Sequence, residues 1–351
     1  MPEEQKKDTV PEALPDVQST AIPIEQFMPS EPVQEAGQGM KWASLPSLAL
    51  AILFLGAVAI TLEYESTKHA PRTALEAAVV TAQDSFEGLV LTAKSAIVAD
   101  MLNGKVLYSK NPDIQLPLAS LTKVPLMLAV SEALPLETII TIPYDTAPKG
   151  SAERLAKGEK WSVKDVAGFT LIASSNAGAE ILALSADRAI RERFKEAPEG
   201  QAALWRMNRI AQELGLVRTY FLNVSGLDVS ATLSGAYGSA GDMAKLFAYA
   251  AKENTAVFAG TAEGGLLFTS PNGNSKTRAF NTNEALGDIP GLIMGKTGAT
   301  DLAGGNLAIV FDVGPAHPIV AVVLGSTREG RFEDMKILIA KTQQAISQTN
   351  Q

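Results

Sequence analysis

Ser120 and Lys123 lie three positions apart in the segment LPLASLTKVPLML, a spacing that could serve nucleophilic catalysis. At the start of a helix the two side chains would lie one turn apart on the same face. A serine hydroxyl becomes a nucleophile when a base takes its proton. A lysine amine can act as that base once burial or a neighbouring cation lowers its pKa. Because a serine before good helix formers is also an ordinary helix start, the motif gains meaning only from the rest of the chain.

Two triplets later in the chain contain residue types that could act together with Ser120 and Lys123. Ser174 and Asn176 lie in the triplet SSN, and Lys296 opens the triplet KTG before a run of apolar strands. A serine hydroxyl can pass a proton to a leaving amine, and an asparagine amide can hydrogen-bond a substrate backbone. Lys296 would be the cation next to Lys123, and each lysine would lower the pKa of the other. Read alone, each triplet fits an ordinary connector, but the three motifs in this order predict one acyl-transfer site.

The third triplet, Lys296-Thr297-Gly298, also indicates how a substrate would be held. On a strand edge, Lys296 and Thr297 could bind a substrate carboxylate by charge and hydrogen bonding. Gly298 has no side chain and would let a ligand approach the strand closely. We therefore interpret this strand as one wall of the predicted site.

The composition excludes several other chemistries. The 351-residue chain has no cysteine, and so no thiol nucleophile, disulfide or cysteine-based metal site. Its two histidines, His69 and His317, cannot form a histidine-rich metal site, and a Ser-His-Asp triad would have to use one of them. A net charge of −8 and a pI near 5.0 do not fit the basic face of a nucleic-acid-binding protein. We predict an enzyme with no metal, no cofactor and no nucleic-acid partner.

The N-terminal part of the chain is predicted to anchor the protein. Residues 1–40 are rich in Pro, Glu and Gln, which favours a disordered acidic tail. Residues 43–62 carry no charge and, at about 1.5 Å per residue, could cross a hydrocarbon layer of about 30 Å as a single transmembrane helix. Residues 63–81 would form a linker. The sequence AVA at Ala57–Ala59 resembles a signal-peptidase site, so cleavage is the alternative to an uncleaved anchor.

Residues 82–348 are predicted to form the catalytic domain, with an α+β fold. Two apolar runs flank Asn103-Gly104, the strongest short hairpin signal in the chain. Helical patterns follow, and three apolar strands and an amphipathic helix come last. This order predicts one antiparallel sheet flanked by helices. Ser120 is expected near the N-terminus of a helix whose first turn is bent by Pro125.

Residues from about Ala82 to Ser347 resemble a serine-type D-alanyl-D-alanine carboxypeptidase, a low-molecular-mass penicillin-binding protein of the penicillin-recognising serine enzyme superfamily. The likeness extends to the segments IVADMLNGKVLYSKNPD, GLVRTYFLNVSGLD, AYGSAGDMAKL, NTN and STREGRFEDMKILI. It implies a β-lactamase/transpeptidase-like fold, with a helical subdomain beside a five-stranded antiparallel sheet and the site in the cleft between them. One departure is Ala177, where the family often has an acidic residue after the motif asparagine.

The resemblance assigns a role to each motif residue. It implies that Ser120 is the acylated nucleophile and Lys123 its base, with Ser174 as a further catalytic residue. The oxyanion hole would consist of the backbone N–H groups of Ser120 and Ala299. The implied substrate-binding residues are Asn176, Lys296, Thr297 and Gly298.

The implied activity is hydrolysis of the terminal D-Ala-D-Ala bond of peptidoglycan stem peptides through an acyl-enzyme, with β-lactams as covalent inhibitors. An alternative is a D,D-endopeptidase that cleaves cross-links, an activity of some family members that lack an extra β-rich domain. A serine β-lactamase is less favoured because no E-x-x-L-N stretch lies between Asn176 and Lys296. A non-catalytic sensor would not need both lysines. Because peptidoglycan lies outside the cytoplasmic membrane, we expect a single-pass protein of the bacterial cell membrane with an extracytoplasmic catalytic domain.

Overall fold

The computed structural model of the protein describes residues 85–151 and 153–349. The predicted acidic tail at 1–40, membrane span at 43–62 and linker at 63–81 lie outside these residues, and they stay predictions. Within the two described ranges, no helix combines the length and the apolar character that a bilayer crossing requires.

Strands and helices follow one another in the order that the sequence predicts for an α+β fold. In chain order the strands are β1 (Ser95–Asp100), β2 (Val106–Lys110), β3 (Leu116–Pro117), β4 (Ile139–Thr141), β5 (Lys160–Ser162), β6 (Tyr220–Phe221), β7 (Ala236–Gly238), β8 (Gly265–Thr269), β9 (Lys276–Phe280), β10 (Leu292–Thr300), β11 (Gly304–Asp312) and β12 (Pro318–Ser326). The helices are α1 (Lys123–Ala133), α2 (Val163–Ile172), α3 (Asn176–Arg193), α4 (Ala202–Glu213), α5 (Ala240–Glu253), α6 (Thr255–Phe258) and α7 (Gly330–Thr349).

The main sheet has five antiparallel strands in the order β10-β11-β12-β1-β2, as the family resemblance implies. Alternate side chains of a strand point to opposite faces of the sheet. In β12, Val320 and Val322 accordingly lie in the core shared with the helices, whereas Ala321 and Val323 lie in a second core. The second core is closed by α7. Both faces of β12 are therefore buried, which accounts for its uninterrupted apolar sequence.

Helix α1 lies at the centre of the helical part of the fold. Its buried residues include Val124, Leu126, Met127 and Leu128, which point in all directions around the helix axis. A helix that is apolar all round is buried on every side. Here α2, α3, α4 and α5 all contact α1. The helix that follows Ser120 is thus held by the core of the protein.

The short strand β3 fixes the chain immediately before Ser120. Leu116 and Pro117 pair with Gly238 and Tyr237 of β7, in a small three-stranded sheet with the order β3-β7-β6. The side chain of Asn306, fully buried in β11, donates from Nδ2 to Pro117 O over 2.9 Å. Its Oδ1 accepts from Gly325 N at 2.8 Å. One amide side chain therefore links the main sheet to the segment that carries Ser120.

We predict that Asn306→Ala destabilises the fold by about 2 kcal/mol, because it leaves two partly buried backbone groups without their hydrogen-bond partner. The free energy of unfolding, measured by urea denaturation of the purified domain, checks this. Asn274→Ala, in an exposed turn, is the matched control and should change stability by less than about 0.5 kcal/mol. Equal stability of the two variants would contradict the role given to Asn306.

Candidate active site

Ser120 lies in a tight 3₁₀ turn, Ala119–Thr122, that runs directly into α1. Ala119 has φ of +48°, a left-handed conformation that is uncommon for a residue with a side chain. The turn is held by a hydrogen bond of 2.7 Å from Thr122 Oγ1 to Ala119 O. Gly226, with φ of +79°, lies against the same carbonyl, and a Cβ at this position would overlap it. The unusual backbone before Ser120 is thus enforced from two sides, as is common at functional sites.

Pro125 is the third residue of α1 and is buried. The first backbone N–H groups of a helix have no partner within it, so a proline costs little at this position. A bend caused by Pro125 stays a prediction. The start of the helix is a 3₁₀ turn, Ala119–Thr122, followed by the α-helix. It leaves Ser120 one turn from Lys123.

Lys123 is completely buried, and its amine makes three hydrogen bonds. Nζ donates to Ser120 Oγ at 2.8 Å, to Asn176 Oδ1 at 2.7 Å and to Ser225 O at 2.9 Å. Burial lowers the pKa of Lys123 to about 7, an effect that the negative charge of Glu180 partly opposes. At neutral pH a large share of the amine is therefore uncharged and lies within hydrogen-bonding distance of the serine hydroxyl.

The SSN triplet forms the break between α2 and α3. Ser175 is the N-cap of α3, and its Oγ accepts from Gly178 N at 3.0 Å. Ser174, just before the cap, has φ of +55° and accepts a hydrogen bond of 2.8 Å from Lys296 Nζ. Asn176 begins α3 and holds Lys123. A single helix interruption therefore delivers two side chains to the site, which explains why the helical pattern breaks at this triplet.

Lys296 is buried in strand β10, at the edge of the main sheet. Besides Ser174 Oγ, its Nζ contacts Thr297 O at 2.9 Å. Burial holds the pKa of Lys296 well below its usual range, and the positive charges of Lys123 and Arg331 lower it further. The sequence predicts that each lysine lowers the pKa of the other. The effect of Lys123 on Lys296 is confirmed, whereas the lowered pKa of Lys123 comes from burial.

Gly298 allows β10 and the Ser120 turn to come together. A Cβ at this position would lie 2.8 Å from Leu118 O and 3.2 Å from Ser120 N, so any side chain would push the turn away. The open space predicted at Gly298 is thus occupied by the chain itself. Arg331, at the start of α7, donates from Nη1 to Gly298 O at 2.8 Å on the same strand.

A cleft of about 230 Å³ lies between β10 and the helical part. Its lining residues are Ser120, Ser174, Asn176, Gly226, Leu227, Thr282, Thr297, Ala299, Thr300 and Arg331. Lys123 and Lys296 lie behind this surface, where they are hydrogen-bonded to its serines. The fold therefore brings together all seven residues of the three motifs, and it places Ser120 and Ala299, the expected oxyanion-hole residues, on the same cleft.

Comparison with known proteins agrees with the family resemblance of the sequence motifs. The family model of D-alanyl-D-alanine carboxypeptidases, peptidase family S11, matches residues 79–328. The chain belongs to this family. It is 33% identical over 246 residues to D-alanyl-D-alanine carboxypeptidase DacF of Bacillus subtilis, a match that covers 68% of this chain and 59% of the relative. The chain therefore spans about three fifths of that relative's length.

Two further relatives show how closely the family resembles this chain. A D-alanyl-D-alanine endopeptidase of Escherichia coli is 28% identical over 262 residues, covering 73% of this chain and 77% of the relative. The crystal structure of penicillin-binding protein D2 from Listeria monocytogenes, in its ampicillin-bound form, is similar with a TM-score of 0.60 and 28% identity. That match covers 73% of this chain and 98% of the Listeria chain. Family members with either activity are thus similar to this chain.

Several residues in or near the cleft were not identified from the sequence, among them Gly226, Leu227 and Thr300 of its lining. Ser225 contributes a backbone carbonyl, which has no side-chain signature. Thr282 and Arg331 reach the cleft from segments far from the motifs, although they lie in the family-like stretches NTN and STREGRFED. Glu180 lies one helical turn after Asn176, a spacing that could have indicated it.

His317, the one histidine among the described residues, does not belong to the cleft. It lies between β11 and β12, and its Nε2 is 3.0 Å from Asp100 Oδ2 at the end of β1. Since neither residue lines the cleft, a triad of Ser120 with His317 is excluded. The amine next to Ser120 is that of Lys123, whose Nζ lies 2.8 Å from Ser120 Oγ.

We predict that Glu180→Gln lowers the pKa of Lys123 below its present value of about 7, because the variant lacks the negative charge that stabilises the protonated amine. The measurement is a pH titration of the lysine ε-methylene groups by NMR, with the Lys123 signal assigned from a Lys123→Met variant. Glu333→Gln, on the exposed surface of α7, is the control and should leave the titration unchanged. A midpoint that stays in place or rises in Glu180→Gln would be incompatible with this role.

Proposed function

We propose that this protein is a serine D,D-carboxypeptidase that hydrolyses the terminal D-Ala-D-Ala bond of peptidoglycan stem peptides. The observation that carries the proposal is the contact of 2.8 Å between Ser120 Oγ and the buried amine of Lys123, whose pKa is about 7. A hydroxyl paired with a partly neutral amine meets the geometric and the acid–base requirement of nucleophilic catalysis. Membership in the D-alanyl-D-alanine carboxypeptidase family supports the substrate class.

Acylation begins when neutral Lys123 takes the proton of Ser120. Ser120 Oγ then attacks the carbonyl carbon between the two D-alanines, and the C=O electron pair moves onto oxygen. The backbone N–H groups of Ser120 and Ala299 stabilise that oxyanion. As the C–N bond breaks, Ser174, hydrogen-bonded to Lys296, delivers a proton to the nitrogen of the leaving D-alanine. The proton that Lys123 took from Ser120 then replaces the one that Ser174 gave, so Lys123 is neutral again before the ester is hydrolysed. The products of this step are free D-alanine and an ester on Ser120.

Hydrolysis of the ester reverses these roles. Lys123 removes a proton from a water molecule, whose oxygen attacks the ester carbonyl, and Ser120 Oγ leaves and regains its proton. Asn176 is suited to hold the acyl chain during both steps. Its Oδ1 is bound by Lys123, which makes its amide NH₂ the group that meets a substrate carbonyl.

The C-terminal carboxylate of the substrate is bound at the β10 side of the cleft. Thr297 and Arg331 line this side, and Lys296 lies directly behind Thr297. A bound anion favours the protonated form of a nearby lysine, so the pKa of Lys296 rises when substrate enters. The substrate carboxylate thus opposes the effect of burial on the pKa of Lys296.

A D,D-endopeptidase is the second candidate function, because an endopeptidase is among the similar proteins. It would use the same acyl-enzyme on Ser120 and differ in the leaving group, which is the amine of a cross-linked peptide instead of free D-alanine. β-Lactams carry an amide that Ser120 can attack in the same way, so we propose that they acylate this protein covalently.

We also propose that the enzyme works at the outer face of the bacterial cytoplasmic membrane. The support comes from the sequence, since residues 43–62 form an uncharged apolar stretch of membrane-spanning length before the catalytic domain. Peptidoglycan stem peptides lie on the outer side of that membrane, which is where the cleft must face. Residues 63–81 would connect the anchor to the domain, and the acidic tail would lie inside the cell.

The first test is covalent labelling with a fluorescent penicillin. The unmodified protein should give a labelled band after denaturing electrophoresis, and Ser120→Ala should slow labelling by at least about a thousandfold because the attacking oxygen is gone. Ser347→Ala, an exposed serine on α7, is the control and should label normally. A labelled band of full intensity in Ser120→Ala, or none in the unmodified protein, would rule out an acyl-enzyme on Ser120.

The second test separates the two candidate activities. We expect the purified domain to release D-alanine from a muropeptide ending in D-Ala-D-Ala at least about tenfold faster, in kcat/KM, than it cleaves purified dimeric muropeptides. Both products are quantified by chromatography from the same enzyme stock. Faster cleavage of the dimers would assign the endopeptidase activity instead.

A further inference from the structure

Thr282 lies in the turn between β9 and β10, and the mechanism above gives it no role. The turn is tightly built. Asn281 Nδ2 donates to Thr261 O at 2.8 Å and to Glu263 O at 2.9 Å, while its Oδ1 accepts from Asn283 N at 2.9 Å. The N–H of Thr282 itself donates to Ile172 O, the last residue of α2, at 3.3 Å. The backbone of Thr282 is thus fixed between the helical part and the strand β10.

The hydroxyl of Thr282 is aimed at the hydroxyl of Thr297. The two Oγ1 atoms are 2.5 Å apart, both residues line the cleft, and either hydroxyl can be the donor. The cations nearby do not decide the direction, because Lys296 Nζ bonds to Ser174 Oγ and Thr297 O, and Arg331 Nη1 bonds to Gly298 O. Among the described residues, Thr282 is the side chain hydrogen-bonded to Thr297 Oγ1.

The direction of this hydrogen bond determines what Thr297 offers to a ligand. A hydroxyl has one proton and two lone pairs. If Thr297 donates to Thr282, its proton is used, and only lone pairs face the cleft. If Thr282 donates, Thr297 keeps its proton for the cleft. A carboxylate only accepts hydrogen bonds, so a bound carboxylate favours the second arrangement.

We propose that Thr282 is a positioning residue that donates its hydroxyl proton to Thr297 Oγ1 and so directs the Thr297 proton to the carboxylate of the leaving D-amino acid. The inference rests on the proposed function, which supplies a substrate with that carboxylate. Consecutive hydrogen bonds polarise one another, so the bond from Thr297 to the carboxylate is strengthened by the one it accepts. Thr282 thereby contributes to the preference for a free C-terminal carboxylate without contacting the reacting atoms.

The test compares two thioesters that differ only at the group that Thr297 would bind. One is an N-acyl-D-alanyl thioglycolate with a free carboxylate, and the other is its methyl ester. Attack of Ser120 on either thioester releases a thiol, which a chromogenic thiol reagent measures. Thr282→Val removes the hydroxyl at nearly constant shape, Thr282→Ser keeps it, and Thr269→Val on the exposed face of β8 is the control.

We expect Thr282→Val to lower kcat/KM for the carboxylate thioester about tenfold, mainly through KM, and to change the value for the methyl ester less than about twofold. Thr282→Ser should stay within about twofold of the unmodified enzyme on both substrates, as should Thr269→Val. Thr282→Ala carries the same expectation as Thr282→Val, and thermal melting verifies that each variant is folded.

Two results would overturn the inference on Thr282 alone. One is an equal loss on both thioesters, which would indicate a general structural role. The other is an unchanged rate for Thr282→Val on the carboxylate thioester. If the unmodified enzyme hydrolyses neither thioester and takes up no fluorescent penicillin, the proposed function fails, and the inference fails with it.

Discussion

The amine of Lys123 has to be kept out of water and still fully hydrogen-bonded, and the segments around the cleft are arranged to meet that requirement. A buried polar group without partners costs several kcal/mol, and a buried charge costs more. The three acceptors come from three separate places: the turn at Ser120, the start of α3 at Asn176, and the backbone at Ser225. Each segment must be correctly placed for the amine to be satisfied. The left-handed φ of Ala119 helps to place the Ser120 turn where it can meet the Lys123 amine.

Burial of this lysine also couples folding to proton release. A lysine in the unfolded chain has a pKa of about 10.4, whereas that of folded Lys123 is about 7. Between these two values the unfolded chain binds more protons than the native protein, so the contribution of Lys123 to stability becomes more favourable as the pH rises through this window. At neutral pH the buried amine of Lys123 therefore lowers the free energy of unfolding. The large helical core around α1 offsets this loss.

Sequence reasoning succeeded where a residue type or a period carries the information. The spacing of Ser120 and Lys123 placed both on one helix face, and the Asn103-Gly104 turn and the apolar run of β12 indicated their strands. The two-residue strands β3 and β6 and the hairpin of β8 with β9 were missed, because such short elements form through tertiary pairing and show little periodicity of their own. The carbonyl of Ser225 and the hydroxyl of Thr282 were missed for a related reason. Their contribution comes from where the fold places them, and the residue type alone does not show it.

Strand β10 is an edge strand, and edge strands expose backbone groups that can pair with other chains. In this protein other segments cover that edge. Thr261 Oγ1 accepts from Gly295 N at 3.1 Å, Arg331 binds Gly298 O, and the Ser120 turn lies against Gly298. The turn that carries Ser120 and the side chain of Arg331 therefore also shield a strand from unwanted strand addition. Protection of the β10 edge and the shape of the cleft thus depend on the same few residues. A change that disturbs one of the two also disturbs the other.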